Sequence, residues 1–229
     1  MLLGARQPGY LPWLGFFAQV RTCDLYVIED SLAYCKQSWH SRNRIRTGST
    51  DGWTYLTVPV VKAPVGTSIA DMLVSNATPW QRRHWQLIEA NYARAPHFQR
   101  YAPYLEGFYL GRTFDKLIDV DLELIGFLLG EFGIHTPVRL LSSTGIQFDP
   151  AAKSHSLLRL MKATGADAFF EGPAGRDYLD PAEFGAAGCR LVFQEWEARE
   201  YRQQYPGFIS HLSALDFLLN MGPDVGEWL

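Results

Sequence analysis

The chain has 229 residues, the size of one large domain. Its hydrophobic share of 47% and charged share of 20% are those of an ordinary globular protein, and they exclude a disordered chain, a coiled coil and a collagen-like fibre. The 21 basic and 24 acidic residues give a net charge of −3, so no overall positive field is available to hold nucleic acid.

The first third of the chain predicts three strands and one short helix. Strands are predicted at Leu2–Arg6, Asp24–Glu29 and Trp53–Val58, because each segment is apolar or rich in β-branched and aromatic residues and is followed by turn-forming or polar residues. The helix is predicted at Gly15–Val20. A polar and cationic segment, residues 30–52, separates the second strand from the third.

The second third, residues 78–133, is predicted to be helical. Thr78 is a predicted N-cap, because Pro79 follows it at the first position of a helix. A second helix is predicted over Asp115–Phe132, where apolar residues recur at helical spacing, and Gly133 ends it.

The last third alternates strands with helices. The predicted elements are the strand Pro137–Ser142, the helix Ser154–Thr164, the strand Asp167–Glu171, a short helix from Asp180, the strand Cys189–Phe193 and the helix Pro206–Asn220. This alternation is typical of an α/β, Rossmann-like layered fold, in which helices flank a largely parallel sheet. No repeat or linker divides the chain, so residues 1–229 are predicted to form a single domain with the helical section in its middle.

Two features bear on location. The longest apolar runs are far shorter than the roughly 20 residues that cross a membrane, and polar residues 6–7 and Pro8 stand where a signal peptide carries its apolar segment. The three cysteines are widely separated and form no CxxC pair. We therefore expect a cytoplasmic protein with no membrane span and with reduced thiols.

Several predicted strands end in polar side chains, which is where ligands bind in open α/β sheets. The substrate-binding candidates at these ends are Gln7, Tyr10 and Trp13, then Tyr34 and Lys36, then Glu171, Gly172, Tyr178 and Asp180. Asp30, at the end of the second strand, is a candidate catalytic base. The glycines of residues 172–175 can offer backbone N–H groups to a ligand, although a tight connection explains them equally, and Asp180 can instead be a helix cap.

Residues 39–46, Trp-His-Ser-Arg-Asn-Arg-Ile-Arg, are the clearest candidate for anion recognition. In an extended chain Arg42, Arg44 and Arg46 project to one side, and guanidinium groups suit a phosphate, a pyrophosphate or a carboxylate. The alternative is a solvated basic loop whose arginines pair with nearby acids. The candidates for binding an anionic small-molecule substrate in this segment are Trp39, Arg42, Asn43 and Arg44.

His155 is the first candidate for a catalytic base. It lies at a predicted helix N-terminus, where the helix dipole favours the neutral form of an imidazole; a surface position in the first turn is the alternative. The sequence contains no HExxH motif and no His/Cys cluster at ligand spacing, so no metal site is predicted. The residues point to no particular cofactor.

A combination of motifs identifies a family. The motifs are Gln7-Pro8-Gly-Tyr10-Leu-Pro12-Trp13-Leu-Gly15, Asp24–Asp30, Tyr34-Cys-Lys36, Trp39 with Arg42–Ile45, and farther along Trp80, Ser142-Ser143, Tyr178-Leu-Asp180 and Ser213–Asp216. With them the chain resembles the WbqC-like protein family over nearly its whole length. Ala33 and Ser41 stand where that family often has Gln and Asn.

The resemblance implies a biosynthetic role, because members often occur beside genes for bacterial surface polysaccharides such as O-antigen, or for small natural products. The activity it implies is glycine-type acyl or aminoacyl transfer to an amine of a sugar or amino-acid-like acceptor. The donor would then be an aminoacyl-tRNA or another acyl donor. Two alternatives stay open: an ATP-dependent ligase or nucleotidyl-transfer enzyme, and a non-catalytic partner in a biosynthetic complex.

Overall fold

The computed structural model describes residues 1–229. The strands are β1 (Leu2–Arg6), β2 (Leu25–Ile28), β3 (Arg42–Arg46), β4 (Trp53–Thr57), β5 (Val138–Leu140), β6 (Ala168–Glu171) and β7 (Arg190–Phe193). The helices are α1 (Leu14–Thr22), α2 (Trp80–Tyr92), α3 (Phe98–Leu110), α4 (Leu117–Glu131), α5 (Lys153–Thr164), α6 (Pro181–Ala186) and α7 (Ala214–Met221). The predicted α/β, Rossmann-like layered fold is confirmed.

Five of the strands form one parallel sheet in the order β5-β2-β1-β6-β7. The chain first builds outward from β1 through β2 to β5, then returns to the other side of β1 and continues through β6 to β7. The boundary between β1 and β6 is therefore the topological switch point, where the connections diverge and leave a crevice outside the carboxyl ends of the strands.

Alternating side chains give the sheet an apolar layer on each face. Leu3, Leu25 and Phe169 pack with α5 and α6 in the smaller core. Tyr26 and Phe170 face the other way into the larger core, which α1, α2, α3, α4 and α7 complete. No helix is both long enough and apolar enough to cross a membrane.

The predicted cationic segment contains a strand that belongs to a separate two-stranded sheet. β3 pairs antiparallel with β4 in a hairpin, with Arg44 opposite Tyr55. The hairpin is joined to the β1–α1 turn, because the backbone N–H of Tyr10 donates to the Trp39 carbonyl at 3.0 Å. The strand predicted at residues 53–58 is thus an edge partner of the arginine segment and does not enter the central sheet.

Two helix predictions differ from the structure. α3 lies within the predicted helical section 78–133 but was not predicted as a separate helix; it carries Pro103 in its interior and packs against α2. The last helix begins at Ala214, with Ser213 as its N-cap, and not at Pro206. Residues 194–212 are irregular instead, and we call this segment the strap.

Candidate functional site

A cavity of about 430 Å³ opens beside the carboxyl end of β1, at the switch-point crevice. Its walls come from the β1–α1 turn, the start of α1, the segment before β3, β3 itself and the strap. Five predicted site residues line it: Gln7, Trp13, Trp39, Asn43 and Arg44. These residues come from two separate segments, 7–13 and 39–44, which the fold brings together.

Two guanidinium groups make the cavity cationic. Arg6 lines it at the end of β1, and Arg44 lines it from the hairpin, while no aspartate or glutamate does. Arg44 donates to the His211 carbonyl at 3.2 Å and lies 5.1 Å from the ring centre of Trp53, but its buried Nε has no partner. A concave site with two arginines and no acid favours an anionic ligand.

The alternation of side chains along β3 sets the directions in which the hairpin arginines project. Arg42 and Arg44 project from one face, whereas Asn43 and Ile45 are buried on the other. Only Arg44 reaches the cavity, since Arg42 lies over the Tyr55 ring at 4.3 Å. None of the hairpin arginines forms an ion pair, so the alternative of a basic loop paired with acids does not describe this segment.

Arg46 was expected on the same exposed face, but its guanidinium is buried. It donates to the carbonyls of Gly52 and Pro206, each at 2.6 Å. Arg46 therefore has a structural role: its hydrogen bonds connect the hairpin to the strap. Burial of a strand's last residue beneath a distant loop leaves no mark in the local sequence.

Asn43 fixes the turn that shapes the cavity floor. Its amide nitrogen donates to the Leu11 carbonyl at 2.7 Å, and its amide oxygen accepts from the Arg44 backbone N–H at 2.8 Å. Leu11 has φ +47°, an unusual conformation for a branched side chain. The two hydrogen bonds hold this strained turn against β3, so Asn43 positions the cavity wall.

Aromatic rings form the opposite wall. His211, which also has a left-handed φ of +58°, stacks on Trp13 with ring centres 4.9 Å apart. Burial and the charge of Arg44 lower the pKa of His211, so its imidazole is neutral at pH 7. Trp39 stands at the mouth with 52% of its surface exposed, which suits stacking on a ligand.

Gln7 and His40 form a polar pair on the cavity wall. The His40 Nε2 and the Gln7 Oε1 are 3.0 Å apart, and the His40 Nδ1 accepts from the Cys35 backbone N–H at 3.3 Å. Burial lowers the pKa of His40 to about 4, so the ring is neutral and Nε2 is the donor to Gln7. The amide nitrogen of Gln7 has no partner within the chain and remains available to a ligand.

Predicted residues at and after the end of β6 lie in a neighbouring group. Glu171 accepts from the Gly172 backbone N–H at 2.9 Å and lies 3.4 Å from the Lys153 ammonium. Lys153 also donates to the Tyr178 hydroxyl at 2.7 Å. Gly172 lies beside Arg6, so this group and the cavity share the crevice at the switch point.

Four predicted residues have structural partners away from the cavity. Tyr10 is fully buried, with its hydroxyl on His84 and Tyr109. Asp30 accepts from the backbone N–H and the hydroxyl of Ser142, at 2.9 and 2.6 Å, which ties β2 to the end of β5. The other two contacts are the Tyr34 hydroxyl with Ser41 and the Asp180 carboxylate with the Ala182 N–H, the latter a helix cap.

The remaining two predicted residues are exposed. Lys36 lies outside the cavity lining. His155 is on the first turn of α5 and lines a separate open depression, together with Lys153 and Tyr178. The structure therefore gathers part of the predicted set at the cavity and adds Arg6, His40 and His211, which sequence reasoning did not select.

Comparison with known proteins gives a family. The model of the WbqC-like protein family matches residues 7–227, a range that contains every cavity-lining residue except Arg6. The uncharacterized protein Rv1507c of Mycobacterium tuberculosis is 32% identical over 225 residues, which cover 97% of this chain and 95% of that protein. No solved structure matches the chain.

Proposed function

The chain belongs to the WbqC-like protein family, and from its cavity we propose that it is a biosynthetic transferase. It moves an acyl or aminoacyl group onto an amine of a small acceptor that resembles a sugar or an amino acid, and one of its two substrates carries an anionic group. The observation that carries this proposal is the acid-free cavity at the switch point, where Arg6 and Arg44 face aromatic walls.

The anionic group is held by the two guanidinium ions. Arg44 already donates one hydrogen bond to a carbonyl and keeps the rest of its fork for a ligand. The side chain of Arg6 has no hydrogen bond or ion pair within the chain, so a ligand is the partner that would satisfy it. Trp13 and Trp39 supply apolar surface for the body of the same molecule.

Transfer at this site proceeds by direct attack of the amine on the acyl carbon. The carbonyl oxygen becomes negative as the new bond forms, and donors that point at it stabilise that charge. The unpartnered amide nitrogen of Gln7 and the Arg44 guanidinium are donors of this kind. His40 and His211 are neutral, so they add polarity to the wall without a third positive charge.

The first test compares Arg44→Ala with Arg42→Ala. The two arginines lie on one face of β3, but only Arg44 lines the cavity, which makes Arg42→Ala a matched control. The probes are inorganic pyrophosphate, acetyl-CoA and a non-hydrolysable glycyl-adenylate analogue, measured by calorimetry. We expect at least one probe to bind, and Arg44→Ala to weaken it by about tenfold or more, the size of a lost charged hydrogen bond.

The control should bind that probe within about twofold of the unchanged protein, as a surface cation typically contributes little. Equal losses in both variants would mean a diffuse electrostatic effect, and no loss in Arg44→Ala would remove the anion site. Incubation of the bound donor with amino sugars and amino acids, followed by mass spectrometry, then tests for the acylated amine.

A nucleotide-dependent ligase is the second candidate. The sheet order β5-β2-β1-β6-β7 favours it, because this order binds nucleotides at the same crevice in many proteins. The β1–α1 turn lacks the glycine-rich phosphate loop, however, since Gly9 is its only glycine. ATP that raises the melting temperature in the unchanged protein, and not in Arg44→Ala, would favour ligation over simple transfer.

A further inference from the structure

Beyond Arg6 lie four residues that we call the Glu29 cluster: Glu29, Lys153, Glu171 and Tyr178. Lys153 and Tyr178 also line the separate open depression. Glu29 follows β2, and its backbone N–H donates to the Arg6 carbonyl at 2.8 Å. Glu171 ends β6, Lys153 begins α5, and Tyr178 accepts a hydrogen bond from Lys153. The cluster therefore adjoins the cavity at Arg6 and lies at the carboxyl ends of the central strands.

Glu29 is the member of this cluster without a partner. Its side chain makes no hydrogen bond and no ion pair, although only 6% of the residue is exposed. Glu171, by contrast, is held by the Gly172 N–H and by Lys153. Buried carboxyl groups in native proteins are normally paired, so an unpaired one at the edge of a crevice points to a missing ligand.

A second buried carboxyl group, that of Asp121, provides a comparison for Glu29. Asp121 also lacks a partner, but its two oxygens are completely sealed in the core. Glu29 keeps its small exposed fraction, and three charged residues from three elements face it: Arg6 from β1, Lys153 from α5 and Glu171 from β6. Glu29 is therefore not sealed in the core as Asp121 is.

The charges around Glu29 indicate which kind of ligand would bind there. Lys153 pairs with Glu171, and Arg6, although its charge acts on Glu29, forms no ion pair with it, so Glu29 is left as one unpaired acid. No group of three or more His, Cys, Asp or Glu side chains is present that could hold a metal ion. A single positive charge with several N–H donors fits the position, and a primary ammonium group has both properties.

We propose that Glu29 is the acceptor-amine site: it binds the amino group of the acceptor as an ammonium ion and removes one of its protons. This inference rests on the proposed transferase function. The ammonium proton passes to the carboxylate, which leaves a neutral amine and a carboxylic acid. The nitrogen lone pair then bonds to the acyl carbon, the leaving group departs with its bonding electrons, and the second proton of the nitrogen goes to that leaving group.

The electrostatics suit a base that works near neutral pH. Burial raises the pKa of Glu29 to about 7, while the charges of Lys153 and Arg6 oppose this rise and that of Glu171 adds to it. A carboxylate with a raised pKa accepts a proton from an amine more readily than an ordinary one. Because the bound ammonium requires the ionised carboxylate, amine binding should strengthen as pH rises from 5.5 to 8, that is, through about 7.

The test uses two pairs of probes in which N-acetylation removes the charge of the amine and adds one acetyl group. The pairs are glucosamine 6-phosphate with N-acetylglucosamine 6-phosphate, and phosphoserine with N-acetylphosphoserine. Calorimetry at pH 8 gives the ratio of the two dissociation constants within each pair. We expect the free amine of at least one pair to bind about tenfold tighter in the unchanged protein, and Glu29→Gln to reduce this preference to about twofold or less.

Three variants make the outcome specific. Glu183→Gln is the control, since Glu183 is exposed and lines the adjoining depression; it should keep the preference. Glu29→Asp retains the charge and should restore part of it, which separates charge from packing. Arg44→Ala should weaken both members of a pair equally, because it removes only the anion contact.

The outcomes separate the two proposals. An amine preference that persists in Glu29→Gln, or that is absent from the unchanged protein in both pairs, overturns the assignment of Glu29. If Glu29→Gln abolishes the preference while Arg44→Ala changes nothing, the Glu29 site stands and the proposed anion site fails. If the preference does not change between pH 5.5 and 8, Glu29 is not the group that pairs with the amine.

Discussion

At the scale of single residues, Tyr10 shows how a polar side chain in a ligand-like motif can serve the core. Its hydroxyl lies 2.9 Å from the His84 Nδ1 and 2.5 Å from the Tyr109 hydroxyl. Since the His84 Nε2 donates to the Thr57 carbonyl, Nδ1 accepts from Tyr10, and Tyr109 donates to Tyr10. Burial lowers the pKa of His84 to about 4, which keeps this chain of hydrogen bonds uncharged.

The position of a residue in this chain of hydrogen bonds predicts how much stability is lost when the residue is replaced. Tyr10→Phe removes two buried hydrogen bonds, whereas Tyr109→Phe removes one and leaves the bond from Tyr10 to His84 in place. We expect losses in the free energy of unfolding of about 2 kcal/mol and about 1 kcal/mol, respectively. Urea denaturation measures both. Neither variant should alter ligand binding, because Tyr10 and Tyr109 lie outside the cavity lining; a selective loss of binding in Tyr10→Phe would contradict the core assignment.

Local sequence rules located some site residues and missed others for a definite reason. The alternation of β3 placed Arg44 and Asn43 on opposite faces, and the end of β1 marked Gln7 as a candidate. His211 carries no local signal, because it reaches the cavity only through the path of the strap across the hairpin. Its contact with Trp13 joins residues almost two hundred positions apart, and no period or motif encodes that pairing.

At the scale of elements, the strap explains why the polar side of the last helix is buried. Ser213, Asp216 and Asn220 lie at helical spacing, and a polar stripe of this kind usually faces water, yet all three are buried. The strap covers Asp216: the Tyr201 hydroxyl and the Gln203 amide both donate to its carboxylate, at 2.8 and 3.1 Å. A helical pattern identifies a polar stripe, but it does not show which segment will pack on that stripe.

Asp216 is therefore the anchor of the strap. Its other oxygen accepts from the Tyr92 hydroxyl at 2.7 Å, so three donors converge on one carboxylate. Asp216→Asn places an N–H where an acceptor is needed and leaves at least one donor unpaired, which should cost about 1–3 kcal/mol. Hydrogen exchange in residues 194–212 should accelerate more than in α4. Asp224→Asn is the control, since exposed Asp224 caps only the nearby Gly226 N–H.

The same elements show which parts of the fold the sequence could predict. Most strands and helices of the α/β alternation were found near their observed bounds, because each has a clear apolar period or turn signal. α3 lies within the predicted helical section but was not predicted as a separate helix, and it forms around Pro103, a residue that usually disrupts a helix interior. The helix predicted from Pro206 fails over its first turns, since hydrogen bonds from Arg46 of the hairpin and with Gln203 hold that stretch in an irregular path.

At the scale of the whole molecule, strand order decides which polar ends meet. Alternating elements predict a parallel sheet, but they do not say whether β6 pairs with β1 or with another strand. The observed pairing puts Arg6 beside Glu171 and Gly172, and so creates the crevice. The hairpin then closes one side of it. This convergence depends on contacts between distant segments, which is why the site could be predicted by residue and not by geometry.

Buried ionisable groups give the fold opposing responses to pH. Burial raises the pKa of Glu29 to about 7 and that of Asp216 to about 6, so folding binds protons at these positions. Burial lowers the pKa of His40 and of His84 to about 4, so folding releases protons there. As pH falls from 7 to 5 the carboxyl groups add stability and the histidines remove it. The net dependence of the unchanged protein should therefore be shallow.

Glu29→Gln should make the pH dependence of stability that comes from His40 and His84 visible. Glu29 has an ordinary pKa of 4.5 and a folded value of about 7, so its contribution to stability is present below 4.5 and is lost as pH rises to about 7. Glutamine does not titrate, so the variant loses no stability at this position as pH rises. Relative to the unchanged protein, the variant should therefore gain about 2 kcal/mol more stability at pH 8 than at pH 5. Its own stability should fall more steeply on acidification, because Asp216 alone then offsets the protonation of His40 and His84 in the unfolded chain.

Chemical denaturation at intervals across this pH range measures the difference, with Glu89→Gln, an exposed position on α2, as the control. The control and the unchanged protein should give parallel profiles. A Glu29→Gln profile parallel to theirs would mean that Glu29 is as well solvated in the folded chain as in the unfolded one. Glu29 would then be an ordinary surface carboxylate, and its lack of a partner would no longer indicate an amine-binding site.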